Sequence, residues 1–160
     1  MKNIIIRTFH AEDLIKVRDL IYETIDICYS NHYPPRAIAF FKECHCESKI
    51  MERSKTGVIL IVGTKSNLYG TGSIVGNEIF GVFVRPKYHK LGHGRDIMDE
   101  LENIARRNGY KETELSISLP SAEFYKKRGY IIIEDCNLDV GENQTLKYWK
   151  ARKTLKQEKS

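Results

Sequence analysis

The hydrophobic pattern of the chain changes near Gly57 from a helical to a strand period, and few folds accommodate the order of elements that follows. Three apolar strands are predicted in quick succession, at residues 58–62, 69–75 and 78–84. Their short connections indicate an antiparallel meander, and Pro86 ends the third strand because proline cannot donate to a strand ladder. An amphipathic helix is then predicted over 94–108. The strand after this helix is expected to lie parallel to a neighbour, since the helix is long enough to cross over the sheet.

The remaining segments complete a single mixed domain. They are predicted as strands at 4–9, 114–118, 130–136 and 145–151, and as helices at 11–28, 36–46 and 121–128. This order predicts an α/β (α+β) fold in which helices flank a mixed, mostly antiparallel sheet of about six to seven strands. We expect one domain over residues 1–152 and a basic C-terminal tail at 153–160 that frays in solvent.

The charge and the cysteines narrow the class of protein. The chain has 26 lysines and arginines against 21 aspartates and glutamates, a formal net charge of +5, which is compatible with nucleic acid, with a phosphorylated cofactor or with solubility alone. Four scattered cysteines argue against a disulfide scaffold and favour a reducing cytoplasm. No apolar run reaches the length of a membrane helix, and the apolar part of the N-terminus is too short for a signal peptide. A cytoplasmic protein without a membrane partner is therefore expected.

A basic loop with two glycines joins the third meander strand to the long helix. Its glycines, Gly92 and Gly94, let the backbone approach a ligand closely, and Lys87, Lys90 and Arg95 add positive charge at the helix start. The first N–H groups of a helix lack internal partners and attract anions. The loop has neither the glycine-lysine spacing of a P-loop nor the third glycine of a dinucleotide fingerprint. A tight strand-to-helix turn would also require glycine, so both interpretations stay open for the loop alone.

A second segment, residues 119–130, carries a short helix with Phe124 and Tyr125 that ends at Gly129. Together the two segments resemble the GCN5-related N-acetyltransferase (GNAT) superfamily, whose loop reads V-x-P-x-x-[QR]-x-x-G-x-[GA] and whose later signature reads A-x-x-[FL]-Y-x-x-x-G-[FY]. Both occur here in the family's order, and the element order also resembles that fold. His89 departs from the pattern, because it stands where the family has Gln or Arg. The loop lacks a long donor there, so weaker or pH-dependent phosphate binding is expected.

The resemblance implies that acetyl-CoA, as co-substrate, lies in a wedge between two splayed parallel strands, here 78–84 and 114–118. It implies that the backbone of Val82, Phe83 and Val84 binds the pantetheine arm. It also implies that the basic loop wraps the pyrophosphate, with the residues Lys90, Leu91, Gly92, His93, Gly94 and Arg95.

The implied reaction is direct transfer of the acetyl group from acetyl-CoA to a primary amine, carried by a small-molecule or peptide acceptor. Tyr125 occupies the family's general-acid position, near the leaving sulfur; its alternative role is packing beside Phe124. Glu78 is the candidate general base, as a half-buried carboxylate of raised pKa, and its alternative is a solvated strand end. The backbone N–H of Val84 or Phe83 is expected to stabilise the oxyanion. Three rival wall residues lie near the end of the first helix: Glu23, His32 and Tyr33.

Particular residues of the chain also suggest other functions. Cys44, His45 and Cys46 invite a zinc site, but C-x-C on a helix points the thiols apart, so no metal is expected. The lysine-rich C-terminus invites nucleic acid, and a solvated end is the preferred interpretation. Phe40 and Phe41 are assigned to the core, with the wall of an acceptor pocket or a homodimer surface as alternatives. A protein of the same fold that binds or senses acyl-CoA without turnover remains the alternative to the enzyme.

Overall fold

Seven strands form one sheet in the order β1-β2-β3-β4-β5-β7-β6. The computed structural model describes residues 3–157. The strands are β1 Ile5–Thr8, β2 Val58–Gly63, β3 Leu68–Val75, β4 Glu78–Val84, β5 Glu112–Ser118, β6 Ile131–Gly141 and β7 Gln144–Thr154. The helices are α1 Leu14–Tyr29, α2 Pro35–Cys44, α3 Glu47–Thr56, α4 His93–Arg107 and α5 Ala122–Lys127. β4 and β5 are parallel and the other neighbouring strands are antiparallel, which confirms the predicted mixed sheet.

The core lies on both faces of the sheet because the central strands are apolar on both sides. In β2, Ile59 and Ile61 pack against one face, with α1 and α3, whereas Leu60 and Val62 pack against the other, with α4. α4 approaches the sheet closely over β3. A Cβ added at Gly72 would lie 2.5 Å from Cγ2 of Ile97, so only glycine permits this approach.

Three segments differ from the sequence expectations. The helix α3 was not predicted, because it is polar almost throughout and Ile50 is its one fully buried residue. The hairpin β6–β7 is longer than predicted and extends beyond the hydrophobic core, so many side chains of β6 are exposed. β7 runs on to Thr154, and Leu155 is buried with its N–H donating to the carbonyl of Lys111 at 2.8 Å.

Residues 153–155 therefore belong to the sheet and its margin, although they were assigned to a frayed tail. Lys153 and Thr154 pair with Thr113 and Glu112 of β5, and Lys153 also donates a hydrogen bond to the buried carboxylate of Glu102 on α4. The part of the predicted tail at 158–160 lies outside the described residues. Between residues 3 and 157, no helix combines the length and the apolar character that crossing a bilayer requires.

Candidate active site

The two parallel strands separate soon after they begin. β4 pairs with β5 only at Glu78–Glu114 and Ile79–Leu115, while β5 continues its pairing with β7 as far as Ser118. Among the residues that the structure describes, the remainder of β4 pairs with no strand on this side. The strands thus leave an open wedge in the middle of the sheet, at the place where the sequence predicted a splayed pair.

A β-bulge in β4 sets the direction of the backbone at this wedge. Gly81 and Val82 together lie opposite Gly72, and Gly81 adopts a left-handed φ of +63°. Beyond the bulge Phe83 pairs with Thr71, and the N–H of Arg85 donates to the carbonyl of Tyr69. Antiparallel strands alternate the direction of their N–H groups, so the N–H of Val84 points away from β3 and into the wedge. Of the two predicted oxyanion donors, this geometry favours Val84 over Phe83.

One side of the wedge opens into a cavity of about 360 Å³, which we call the aromatic cavity. It is lined by Tyr29, Phe40, Phe41, Cys44, His45, Arg53, Glu78 to Phe83, Leu115 to Ser118, Ser121, Tyr125, Leu138, Leu146 and Tyr148. The other side opens into a cavity of about 730 Å³, which we call the basic-loop cavity. It is lined by Val82, Val84, Tyr88 to Arg95, Pro120, Ser121, Phe124 and Tyr125. The two cavities share Val82, Ser121 and Tyr125.

The basic loop is shaped by two left-handed residues. Lys90 has φ +64° and Gly92 has φ +88°, and α4 begins directly after Gly92. Alternating left-handed and right-handed residues turn successive N–H groups toward one point, which binds anions. Lys90 and Arg95 are exposed and line this cavity, whereas Lys87 is exposed but does not line it. The loop therefore presents backbone donors, a helix N-terminus and positive charge to the same cavity.

Two further details show that this cavity fits a phosphate-bearing ligand such as coenzyme A. The side chain of His93 is buried against Tyr69, and its Nε2 has no hydrogen-bond partner among the described residues. A buried polar atom without a partner is costly, so it calls for a ligand or water partner. At Gly94 an added Cβ would lie 3.3 Å from Cζ of Phe124, so glycine keeps the helix start close to the α5 side of the cavity. The residues predicted to wrap the pyrophosphate thus lie together.

His89, which departs from the family pattern, turns back onto β4. Its Nε2–H donates to the carbonyl oxygen of Val84 at 2.6 Å. The imidazole therefore stabilises the turn after β4, and it does so at the carbonyl of the residue whose N–H faces the wedge.

Tyr125 lies at the junction of the two cavities. It is 8% exposed, and its ring makes edge contacts with Phe124 and Tyr130. Burial raises the pKa of the Tyr125 hydroxyl above its ordinary value. The side chain is thus packed among aromatics and still lines both cavities, so the two predicted roles are compatible in one residue.

Glu78 lies at the mouth of the aromatic cavity, at the first residue of β4. It is exposed rather than half-buried, because the strand pairing ends in solvent here. The half-buried position predicted for this carboxylate is therefore not found, although Glu78 still lines the cavity.

The three rival wall residues line neither cavity. Glu23 forms an ion pair with Arg85. The hydroxyl of Tyr33 accepts a hydrogen bond from the N–H of Leu119 and donates to the carbonyl of Lys147, which ties the loop between α1 and α2 to the end of β5 and to β7. His32 is exposed. Glu23 and Tyr33 thus make contacts that support the fold, and none of the three lines the wedge.

Two residues that the sequence did not single out as site residues, His45 and Arg53, form part of the aromatic cavity. His45 is buried, and burial together with the nearby Arg53 lowers its pKa to about 3, so the ring is neutral near pH 7. Its Nδ1 accepts a hydrogen bond from Nη1 of Arg53 at 3.3 Å. Cys44 and Cys46 diverge, and within residues 3–157 no three His, Cys, Asp or Glu side chains gather as a metal site would need.

The sequence of the chain matches a protein-family model described as the acetyltransferase (GNAT) family, over residues 18–130. No curated protein sequence matches the chain.

Solved structures share the fold over nearly the whole chain. A GCN5-related N-acetyltransferase from Rhodopseudomonas palustris has a TM-score of 0.86 at 22% identity and covers 97% of this chain and 98% of its own. The PaiA N-acetyltransferase from Thermoplasma acidophilum, solved in complex with coenzyme A, has a TM-score of 0.76 at 23% identity, with 96% and 99% covered. YncA from Salmonella typhimurium, a putative acetyltransferase solved with acetyl-CoA, has a TM-score of 0.67 at 14% identity, with 99% and 97% covered.

Proposed function

The chain belongs to the acetyltransferase (GNAT) family, and on that premise we propose that it transfers an acetyl group from acetyl-CoA directly to a primary amine of a small-molecule or peptide acceptor. The observation that carries the proposal is the position of Tyr125, which lines both the basic-loop cavity and the aromatic cavity where β4 leaves β5. The Tyr125 hydroxyl at this junction can donate to ligand groups that enter from either cavity. We assign the basic-loop cavity to acetyl-CoA and the aromatic cavity to the acceptor.

On the acetyl-CoA side the chain binds and orients. The N-terminus of α4 and the loop from Lys90 to Arg95 hold the pyrophosphate, and the backbone of Val82 to Val84 aligns the pantetheine arm along the open edge of β4. Acetyl-CoA supplies an activated acyl group, a thioester whose leaving group is a thiol. Phe124 and Tyr125 close the wall opposite the loop.

On the reacting side the chain moves protons and stabilises charge. Glu78 takes the proton of the acceptor ammonium, which frees the lone pair of the amine. A bond from the amine nitrogen to the acetyl carbon forms as the bond from that carbon to sulfur breaks. The Val84 N–H stabilises the negative charge that develops on the carbonyl oxygen, and Tyr125 donates its proton to the departing sulfur. The nitrogen, now bonded to the acetyl carbon, then gives its second proton to the Tyr125 oxygen, which restores the hydroxyl. The products are an N-acetyl amide, the free thiol and the proton that Glu78 releases to water.

The test is release of free thiol from acetyl-CoA in the presence of single primary amines, followed with a thiol reagent and by mass of the acetylated amine. Turnover that requires both the amine and the folded protein supports the enzyme. Tight acetyl-CoA binding without turnover across amino acids, simple amines, polyamines and peptides would instead identify a non-catalytic acyl-CoA-binding module.

Replacing Glu78 with glutamine is expected to lower kcat/KM by about 100-fold near pH 7, because a positioned general base contributes on this scale. The loss should shrink as the pH rises toward the pKa of the acceptor amine, because the amine then no longer needs the base. A pH series of kcat/KM measures it. Glu114→Gln is the matched control, since Glu114 pairs with Glu78 across the strands but lines neither cavity. Equal profiles for Glu78→Gln and the unmodified protein would place the base elsewhere.

Replacing Gly92 with alanine is expected to raise the Kd for acetyl-CoA roughly tenfold, because a left-handed φ costs a residue with a Cβ about 1–2 kcal/mol and the loop leaves its binding shape. Gly109→Ala at the other end of α4 carries the same strain, at φ +86°, in open space far from the basic loop. Calorimetric titration should therefore show weaker binding of acetyl-CoA by Gly92→Ala than by Gly109→Ala, although the two variants have similar stability. A Kd that changes equally in both would show that the loop's shape is unimportant for binding.

A further inference from the structure

The aromatic cavity contains a guanidinium that forms no ion pair with a carboxylate in the described part of the chain. Arg53 of α3 is half-buried in the cavity wall, and within residues 3–157 no aspartate or glutamate oxygen lies within 4.0 Å of it. It donates to Nδ1 of His45 at 3.3 Å and to the carbonyl of Cys44 at 3.0 Å. A guanidinium has five N–H donors, so others remain free. Because a charge removed from water is costly without a partner, this position favours a bound anion.

The guanidinium lies directly beside the bulge of β4. Its Nη1 is 3.0 Å from the position that a Cβ at Gly81 would occupy, and Cε1 of His45 is 3.3 Å from the same point. Gly81 precedes Val82, which lines both cavities. Arg53 also stacks over Phe80, with Cζ 5.2 Å from the ring centroid. The neutral His45 ring, the Cys44 carbonyl and the Phe80 ring thus hold the guanidinium next to the proposed site of transfer.

The rest of the cavity wall combines a single carboxylate with apolar side chains. Glu78 is the one carboxylate among its lining residues, and it lies on the same face of β4 as Phe80, two residues away. It does not pair with Arg53. The remaining wall is largely apolar and includes Phe40, Phe41, Leu138 and Leu146. One negative group and one positive group in an apolar cavity are complementary to a zwitterion with an apolar side chain.

We propose that Arg53 binds the carboxylate of the acceptor, and that the acceptor is an amino carboxylate with an apolar side chain. The inference rests on the proposed function, since it names the substrate class of the same site. Arginine binds a carboxylate through two parallel N–H donors, which also orients the ligand. The ammonium of such a ligand then lies toward Glu78, and its side chain packs on the phenylalanines. Polyamines, simple amines and amidated amino acids offer Arg53 no anion.

The experiment compares phenylalanine, phenylalaninamide, phenethylamine and spermidine as acceptors, with kcat/KM expressed per unprotonated amine. The unmodified protein should prefer phenylalanine over its amide by about tenfold to 100-fold, the usual effect of a charge-assisted hydrogen bond. Arg53→Gln should abolish the preference through KM, and Arg53→Lys should restore part of it. Lys55→Gln, on the exposed side of α3, should keep it. The ratio within each variant does not depend on the fraction of protein that is folded.

A second measurement needs no turnover. Calorimetric titration with N-acetylphenylalanine and with its amide should show tighter binding of the free carboxylate, and Arg53→Gln should remove that difference. Turnover of the amide, phenethylamine or spermidine at equal or higher efficiency would overturn the inference and leave the acetyltransferase proposal intact. Absence of turnover with every amine would overturn the acetyltransferase proposal, and equal binding of acid and amide would then also overturn the role of Arg53.

Discussion

Replacing Tyr125 with phenylalanine is expected to lower kcat by about 100-fold or more, while the Kd for acetyl-CoA changes little. A positioned general acid contributes on this scale, and a thiolate that leaves without a proton is a poorer leaving group. Burial raises the pKa of Tyr125, so the hydroxyl stays protonated through the neutral range and holds the proton that it must donate. Steady-state thiol release and acetyl-CoA titration on the same preparation measure the two quantities.

The substitution removes one oxygen atom from a packed ring, so its effect on folding should be small. Tyr110→Phe is the control, because Tyr110 is 39% exposed and lines neither cavity. A kcat within about threefold of the unmodified protein would show that Tyr125 acts by packing, and the position of the ring at the junction would then have a purely structural meaning.

Replacing Glu102 with glutamine is expected to lower the free energy of unfolding by about 3–5 kcal/mol, since removal of one partner leaves buried charge uncompensated. Glu102 of α4 is 1% exposed. It accepts hydrogen bonds from Arg128 at 2.9 Å and 3.1 Å, from Lys153 at 2.8 Å and from the hydroxyl of Tyr130 at 3.0 Å. The carboxylate thus joins α4 to the end of α5 and to β7. Urea unfolding at pH 7 measures the loss.

Glu100→Gln on the same helix is the control, because its ion pair with Arg107 is largely in solvent and should contribute about 0.5 kcal/mol or less. A loss from Glu102→Gln no larger than this would contradict the expectation.

The contribution of Glu102 should also depend on pH. Burial opposes its ionisation, but hydrogen bonds from Arg128 and Lys153 outweigh burial and hold its pKa below the ordinary value. The stabilisation is therefore present above the unfolded pKa and is lost as the pH falls through the folded pKa. The difference between the two proteins should thus shrink below about pH 4.

The structure of the basic loop was predictable because its residues are contiguous in the chain. A strand, a proline, a basic loop with Gly92 and Gly94 and a helix start follow one another, and local sequence dictates each of them. The left-handed φ of Gly92 and the helix N-terminus need no distant residue to form. The strands β4 and β5 were predicted to be parallel because the helix α4 between them crosses over the sheet.

The aromatic cavity was not predictable in the same way, because six or more separate segments converge on it. Arg53 lies on α3, whose sequence has too few apolar residues for a helical period. The sequence pattern around His45 suggested only a metal ligand, whereas its ring packs beside Arg53 and the bulge at Gly81, which lie on α3 and β4. Glu78 was placed correctly in the strand, but its exposure depends on where the sheet ends.

At the basic C-terminus, too, the local sequence suggested one structure and the long-range contacts produce another. Its charge suggested a solvated tail, yet Arg152 pairs with Glu112 and Glu114 of β5, and Lys153 reaches the buried Glu102. These partners are distant in sequence, so no local pattern could indicate them.

Local sequence patterns were sufficient to predict the mixed sheet, its parallel strand pair and a loop of the kind that binds anions. Each of these depends on hydrophobic period, glycine geometry and helix ends within about thirty residues. Packing of α2, α3 and the β6–β7 hairpin around β4 decided which side chains meet in the aromatic cavity and which charges lose their contact with water. Those properties depend on long-range contacts and burial, which belong to the folded chain as a whole.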